Sequence, residues 1–163
     1  MQDAPFCGYR FSVPSDWVDE NEHMDSIEYK RAADGGTQAL LAHAGITRET
    51  LEAAGSTLFQ LEMHIVYARE LRLGDPVIVR SWLIGADGKR IHHLHEIVNE
   101  ATGVRAATVE LMTIHVDRST RRSAPMPAQW VERLQDIAAA HGALPQPDTV
   151  GRRIGLARER ASA

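Results

Sequence analysis

Residues 17–46, WVDENEHMDSIEYKRAADGGTQALLAHAGI, join a polar run to one long helical pattern. After the run, apolar or small residues recur at a spacing that places them on one helical face. These residues are Ile27, Ala32, Ala39, Leu40 and Ala44. Asp25 followed by Glu28 is typical of a capping box, and Gly45 is a typical stop. The sequence therefore predicts a helix from about Ile27 to Ala44.

Two adjacent glycines, Gly35 and Gly36, lie in the middle of this predicted helix. Glycine inside a helix costs roughly 1 kcal/mol relative to alanine. A chain that accepts this cost twice is expected to need a very close neighbour there, either a sheet or a ligand.

Strand patterns follow the predicted helix. From Leu58 to Asp117 the sequence alternates and is rich in β-branched residues, with turn signals at LGDP, ADGK and EATG. This pattern predicts four consecutive antiparallel strands. A second helix is predicted over AQWVERLQDIAAAHG, residues 128–142, followed by an extended tail over residues 145–163. We expect one α+β domain over residues 1–163, in which the long helix covers the apolar face of the sheet.

The composition limits the class of protein. A chain of 163 residues and 18.0 kDa, with 44% hydrophobic and 25% charged residues, is typical of one globular domain. The net charge of -4 lacks the basic signature of a nucleic-acid-binding protein. Cys7 is the only cysteine, so one chain cannot form an internal disulfide or a CxxC redox pair. We expect no nucleic-acid partner.

The start of the chain bears on its location. MQDAPFCGYRFSVP lacks the basic start and apolar run of a signal peptide, and no stretch reaches the roughly 18 apolar residues of a membrane span. These patterns favour a cytoplasmic protein without a membrane partner.

A histidine-rich strand, RIHHLHE at residues 90–96, is the main candidate for a metal site. His93 and His95 share one strand face, and with Glu100 they resemble the first metal motif of cupins. The second cupin motif is missing. Half-buried histidines are common in strands, so we interpret both as packing residues and expect no metal.

The polar run carries the most chemistry. Asp19, Asn21, His23 and Asp25 occupy alternate positions, which point the same way if the segment is extended. A carboxylate can direct water, an amide and an imidazole can hold a polar substrate, and free helix amides can stabilise an oxyanion. A solvated loop is the other interpretation.

The same residues carry a family resemblance. WVDENEHMDSIEYK resembles the opening of hotdog-fold thioesterases, V-D-x-N-G-H-x-N-N followed by a tyrosine and a long helix, with matches at Asp19, Asn21, His23 and Tyr29. YARELRLGDPVIV, residues 67–79, resembles the family's Y-x-R-E-x-x-x-G-D pattern. EATGVRAATVELMTIHVDRSTRRSAPMP and TVGRRIGL resemble the subgroup that cleaves betainyl-coenzyme A in carnitine breakdown.

The resemblance implies a hotdog fold, in which a curved antiparallel sheet wraps the long helix, and a homodimer or dimer of dimers with sites at the subunit interface. It implies acyl-CoA thioester hydrolysis without a bound cofactor. Asp19 is the first choice for the base that directs water, and Glu70 is the second. Asn21 and His23 would hold the water or the carbonyl oxygen. The phosphates of CoA would bind surface arginines.

Departures from the family pattern bear on the substrate. Glu22 replaces a glycine, and Asp25 and Ser26 replace paired asparagines, which adds negative charge. With Trp17 and Tyr29 nearby, these residues indicate a site for a short cationic acyl group. A hotdog hydratase is an alternative, although its motif has four residues between acid and histidine where this chain has three. A non-catalytic acyl-CoA-binding protein is the other alternative.

Overall fold

The computed structural model describes residues 5–156. The described residues form three α-helices, one short 3-10 helix at Ser15–Trp17 and six strands. The α-helices are α1 (Ser26–His43), α2 (Arg48–Ala53) and α3 (Ala128–Gly142), and the strands are β1 (Phe6–Ser12), β2 (Ser56–Tyr67), β3 (Pro76–Ala86), β4 (Arg90–Asn99), β5 (Arg105–Asp117) and β6 (Arg122–Ser123). The predicted α+β class is confirmed, and α3 has the predicted bounds.

The sheet is antiparallel with the strand order β1-β3-β4-β5-β2, and β6 pairs with β5. Strands β3 to β5 form the predicted meander. The prediction that β2 continues this meander is wrong, because β2 pairs with β5, from Tyr67 opposite Ala107 to Ser56 opposite Asp117. The free side of β3 is taken by β1. The turn around Gly74 also bonds to the end of β1, with Gly74 N donating to Val13 O at 2.9 Å.

Helix α1 lies against the inner face of the sheet, and its two adjacent glycines allow a very close approach. A Cβ atom at Gly35 would lie 2.3 Å from the ring of Tyr9, and one at Gly36 would lie 2.6 Å from Val79 Cγ1. Real Cβ atoms do not approach other atoms this closely. The predicted close neighbour is therefore the sheet, and no larger side chain fits at either position without displacing it.

The start of α1 is capped as the sequence predicts, but by half of the capping box. Asp25 accepts a hydrogen bond from Ile27 N at 2.9 Å. The carboxylate of Glu28 instead pairs with Arg31 at 3.1 Å. The helix therefore begins at Ser26, one residue before the predicted start.

The core has two parts along α1. The first packs the N-terminal half of the helix against the middle of the sheet, and the second joins its C-terminal half to α3. The first includes Tyr29, Ala32, Ala33, Val79, Ile97, Val109 and Leu111; the second includes Leu40, Leu83, Ile91, Trp130, Leu134 and Ile137. Full burial of one such leucine contributes about 1.5–3 kcal/mol. Within residues 5–156, no helix has both the length and the apolar character needed to cross a bilayer.

Two completely buried histidines, His93 and His95, lie between the sheet and α1. Thr37 donates its hydroxyl proton to Ala33 O, so its oxygen can accept from His95 Nε2 at 2.9 Å. His95 Nδ1 then accepts from Ser81 Oγ at 2.8 Å. This arrangement places the proton of His95 on Nε2 and defines one end of a hydrogen-bond chain.

The chain of hydrogen bonds continues through His93. Its Nδ1 lies 3.1 Å from His95 Nε2, and its Nε2 lies 3.1 Å from Thr113 Oγ1. With both rings neutral, the single proton on His95 Nε2 is shared between Thr37 Oγ1 and His93 Nδ1, and His93 Nε2 donates to Thr113 Oγ1. Among residues 5–156, no three His, Cys, Asp or Glu side chains are arranged to hold a metal ion.

The C-terminal segment returns across the outer face of the sheet, opposite α1. Pro147 and Thr149 are buried, and Asp148 pairs with Arg105 at 3.0 Å. Gly151 N donates to the carboxylate of Glu110 at 2.9 Å. The first part of the predicted tail is thus bound to the sheet, while residues 157–163 lie outside the described residues.

Candidate active site

The polar run forms a tight loop between Val18 and Met24, which pair as an isolated antiparallel bridge. The prediction of an extended segment is wrong here, because Glu22 N donates to Asp19 O at 3.1 Å and closes a turn. The side chain of Asp19 organises this turn. Its Oδ1 accepts from Asn21 N at 2.9 Å and from His23 N at 3.3 Å.

Glu22 occupies the tip of this turn with a φ of +63°. A left-handed conformation costs a residue with a Cβ roughly 1–2 kcal/mol, whereas glycine adopts it freely. The glycine of the family pattern therefore has a conformational reason, and Glu22 carries strain in its place.

Replacing Glu22 by glycine is expected to raise the free energy of unfolding by up to about 1 kcal/mol. Relief of the strain outweighs the additional backbone entropy that glycine brings to the unfolded chain, about 0.5–1 kcal/mol. Urea titration measures the change. Glu20→Gly is the matched control, because Glu20 is an exposed acid in the same loop without a positive φ. Glu20→Gly should lower the free energy of unfolding. An equal change in both variants would contradict backbone strain at Glu22.

The loop, the start of α1 and the segment after β2 meet at a cleft of about 390 Å³. Its lining comes from residues far apart in sequence. The lining residues are Asp19, His23, Met24, Ser26, Tyr29, Tyr67, Ala68, Arg69 and Glu70. A neighbouring groove of about 530 Å³ shares Ala68, Arg69 and Glu70 and extends to Asn99 and Thr102. Four predicted site residues, Asp19, His23, Tyr29 and Glu70, are therefore brought together.

Glu70 holds His23 in place. Its Oε2 lies 2.9 Å from His23 Nε2, and its Oε1 accepts from Arg72 Nη2 at 2.7 Å. The hydrogen bond from Arg72 lowers the pKa of Glu70, burial opposes this, and the nearby His23 lowers the pKa further. The carboxylate is therefore ionised at neutral pH. A neutral His23 that donates from Nε2 presents the lone pair of Nδ1 to its surroundings.

Asp19 is also ionised at neutral pH. Partial burial raises its pKa, but hydrogen bonds from the side chain and backbone of Asn21 and from the backbone of His23 lower it more, so its pKa lies below the usual value. Oδ1 has two donors, whereas Oδ2 has one long contact, 3.3 Å from Asn21 Nδ2. Oδ2 therefore retains capacity to accept from a water molecule.

The first turn of α1 supplies a backbone donor. Asp25 already binds the N–H of Ile27 through its side chain and that of Glu28 through its carbonyl. No acceptor for the N–H of Ser26 is found among residues 5–156, and Ser26 lines the cleft. The positive end of the helix favours developing negative charge at this N–H.

Tyr29 and Tyr67 form an aromatic wall of the cleft. Their rings meet edge to face, with centroids 5.3 Å apart and an interplanar angle of 89°. Tyr29 is 4% exposed and Tyr67 is 53% exposed. The hydroxyl of Tyr67 donates to Ser26 O at 3.0 Å, which fixes its ring beside the start of α1.

Known proteins share this architecture. Residues 13–137 match the Thioesterase-like superfamily. The chain belongs to this superfamily. The chain is 38% identical over 148 residues to the betainyl-CoA thioesterase of Pseudomonas aeruginosa, which covers 91% of this chain and 93% of that protein.

Two further proteins resemble this chain over nearly its whole length. An L-carnitine dehydrogenase/betainyl-CoA thioesterase of Rhizobium meliloti is 36% identical over 146 residues, which cover 90% of this chain and 29% of that longer protein. A Staphylococcus aureus hypothetical protein solved in complex with CoA superposes with a TM-score of 0.86 at 26% identity, over 94% of this chain and 98% of that chain. The predicted hotdog fold is confirmed, with its curled sheet around the long helix.

Four of the predicted site residues do not line the cleft. Trp17 packs against Phe11 and lies under the guanidinium of Arg31, 5.8 Å from the ring centroid. Asn21 and Glu22 are exposed in the turn, where Asn21 binds Asp19. Asp25 caps α1. These contacts leave Trp17 and Asp25 supporting roles around the cleft.

Five lining residues were not among the predicted site residues: Met24, Ser26, Tyr67, Ala68 and Arg69. Tyr67 and Arg69 belong to the same YARE motif as Glu70, so the motif itself was the available signal. Alternation along a strand does not identify them, because the chain leaves β2 at Tyr67.

Proposed function

We propose that this thioesterase hydrolyses a short acyl-CoA thioester whose acyl group carries a quaternary ammonium, as betainyl-CoA does. The observation that carries the proposal is the meeting of Asp19, the His23–Glu70 pair and the Ser26 N–H in one cleft. The similarity to the P. aeruginosa betainyl-CoA thioesterase supports the acyl group. Hydrolysis is favoured over hydration and over binding alone because this relative is named as a thioesterase.

In the proposed mechanism, Asp19 is the general base. Its Oδ2 accepts a proton from water while the water oxygen attacks the thioester carbonyl carbon. The N–H of Ser26 donates to the oxyanion that forms, and Nδ1 of His23 accepts from the second hydrogen of the water. The intermediate then expels the CoA thiolate, which takes the proton from Asp19. The products are a carboxylate, a proton and the free thiol of CoA.

Glu70 is the second candidate for the base. It lines the same cleft and is 47% exposed at its side chain, so water can reach it. Arg72 and His23 engage both of its carboxylate oxygens, whereas Oδ2 of Asp19 has one long contact, so Glu70 has less room to accept a proton from water. We assign Glu70 the role of holding His23 in the tautomer that donates from Nε2.

The acidic character of the cleft suits a cationic acyl group. Asp19 and Glu70 line it, and Asp25 lies close enough to Tyr67 to act on its hydroxyl electrostatically. Arg69 is the one cationic side chain among the cleft-lining residues described in this structure, apart from His23 if it is protonated. The carnitine dehydrogenase joined to a betainyl-CoA thioesterase in the R. meliloti relative suggests the same metabolic setting, which we place in the cytoplasm.

We also propose a homodimer formed through the free edge of β2. This strand ends the sheet and exposes Phe59, Leu61 and Met63, and its last residue, Tyr67, lies at the cleft. Pairing of two copies along this edge would cover these side chains and satisfy the edge amides and carbonyls. A dimer of dimers is the larger assembly consistent with the proposal.

The proposal is tested by following free thiol release from a panel of acyl-CoA esters. Betainyl-CoA is expected to give a higher kcat/KM than its neutral isostere, 3,3-dimethylbutyryl-CoA. Light scattering on the same preparation should give twice the chain mass of 18.0 kDa, or four times for a dimer of dimers. Absence of turnover with every ester would overturn the thioesterase proposal, and a monomeric mass would overturn the assembly.

A further inference from the structure

Tyr67 is held at two points while about half of the residue stays exposed. Its hydroxyl donates to Ser26 O at 3.0 Å, and its ring and that of Tyr29 form a T-shaped pair with centroids 5.3 Å apart. Although it is fixed at two points, it remains 53% exposed and lines the cleft together with Glu70. A fixed aromatic surface can bind a ligand without a further loss of side-chain entropy.

The other two aromatic residues near the cleft, Tyr29 and Trp17, do not present an exposed ring to it. Tyr29 is buried, with 4% of its surface exposed. Trp17 already has the guanidinium of Arg31 over its ring and does not line the cleft. Among residues 5–156, Tyr67 is therefore the aromatic side chain that can offer an open ring to a group bound in this cleft.

The chemistry of a quaternary ammonium matches this surface. The group has no N–H and cannot donate a conventional hydrogen bond, so aromatic faces and nearby carboxylates recognise it. In a betainyl group the nitrogen lies two bonds from the carbonyl carbon. An oxyanion on the Ser26 N–H therefore keeps the ammonium close to the start of α1, where the Tyr67 ring is attached through Ser26 O.

We propose that Tyr67 determines specificity by receiving the ammonium of the acyl group against its exposed ring. This inference rests on the proposed function. Two carboxylates near Tyr67 also attract the ammonium: Glu70 lines the same cleft, and Asp25 lies near the Tyr67 hydroxyl. The role is one of substrate discrimination, separate from the attack of water.

The test compares kcat/KM for betainyl-CoA and 3,3-dimethylbutyryl-CoA in the wild type, Tyr67→Leu and Tyr67→Phe. The two esters differ in intrinsic reactivity, but this difference cancels when the selectivity ratio of each variant is divided by that of the wild type. Tyr67→Leu should lower the ratio by about 2- to 30-fold. Tyr67→Phe keeps the ring and should keep the ratio, even if loss of the bond to Ser26 O lowers both rates.

Trp17→Leu is the matched control, since it makes the same replacement at an aromatic residue outside the cleft. Its ratio should equal that of the wild type. An equal loss for both esters in Tyr67→Leu would overturn the inference and assign the residue a structural role. Loss of selectivity in Trp17→Leu alone would transfer recognition to Trp17. Failure of the wild type to hydrolyse either ester would instead overturn the proposed function, and the inference with it.

Discussion

Asp19→Asn is expected to lower kcat for thioester hydrolysis by about 10²- to 10⁴-fold with the fold intact. Asparagine keeps the Oδ1 acceptor for the N–H groups of Asn21 and His23, so the turn is preserved. It cannot accept the proton from water at the position of Oδ2. Steady-state kinetics with the preferred acyl-CoA ester measure the loss, and urea unfolding checks the fold.

Two further variants serve as a control and a comparison for Asp19→Asn. Asp16→Asn makes the same change at an exposed acid outside the cleft and should leave kcat unchanged. Glu70→Gln should lower kcat less than Asp19→Asn, because it affects the orientation of His23. Full activity in folded Asp19→Asn, together with a large loss in Glu70→Gln, would make Glu70 the base.

Acid is expected to destabilise the fold below about pH 6.5 through the buried His93–His95 pair. Burial lowers the pKa of His93 to about 3, with a further contribution from His92, and lowers the pKa of His95 well below its usual value. In the unfolded chain both groups titrate near 6.5. The unfolded state therefore binds protons first as the pH falls, so stability is complete above about 6.5 and decreases below it.

The expected loss for the pair is about 3 kcal/mol between pH 8 and pH 5.5, which is a large part of the stability of a typical domain. Urea titration across this range measures it. His93→Gln should reduce the pH dependence by about half, whereas His43→Gln, a histidine outside the hydrogen-bond chain, should leave most of it. The same free energy of unfolding at both pH values would contradict the account.

Local signals predicted the two long helices well, whereas the short helix α2 was not predicted. The apolar spacing and the Asp25 cap placed α1 within one residue at each end, and α3 was placed at both ends. The pairing of β2 could not be predicted in this way, because turn signals show where the chain reverses but not which strand edge is free. The edge of β3 that β2 would have used is occupied by β1. There Phe11 lies opposite Val77, a contact across more than 60 residues of sequence.

Site residues at motif positions could be predicted from the sequence. Whether a residue beside a motif points into the cleft could not be predicted, because this depends on the path of the backbone. Asp19, His23 and Glu70 come from motif positions and do meet in the cleft. Trp17 and Glu22 are equally near in sequence but lie outside it. The positive φ of Glu22 reverses the chain. The ring of Trp17 lies under the guanidinium of Arg31, a residue of α1. Neither effect leaves a periodic signal in the sequence.

The pairing of β2 with β5 also sets an order of events during synthesis. Tyr67 cannot pair until Ala107 has been synthesised, and Ser56 cannot pair until Asp117 has been synthesised. Strands β3 and β4 are made in between. At about 5–20 residues per second, this interval lasts roughly 2–12 s. Throughout it, β2 has neither of its edges paired within the chain, and Phe59, Leu61 and Met63 are open to other molecules. The nascent chain is therefore most prone to aggregation after β2 has been made and before β5 is complete.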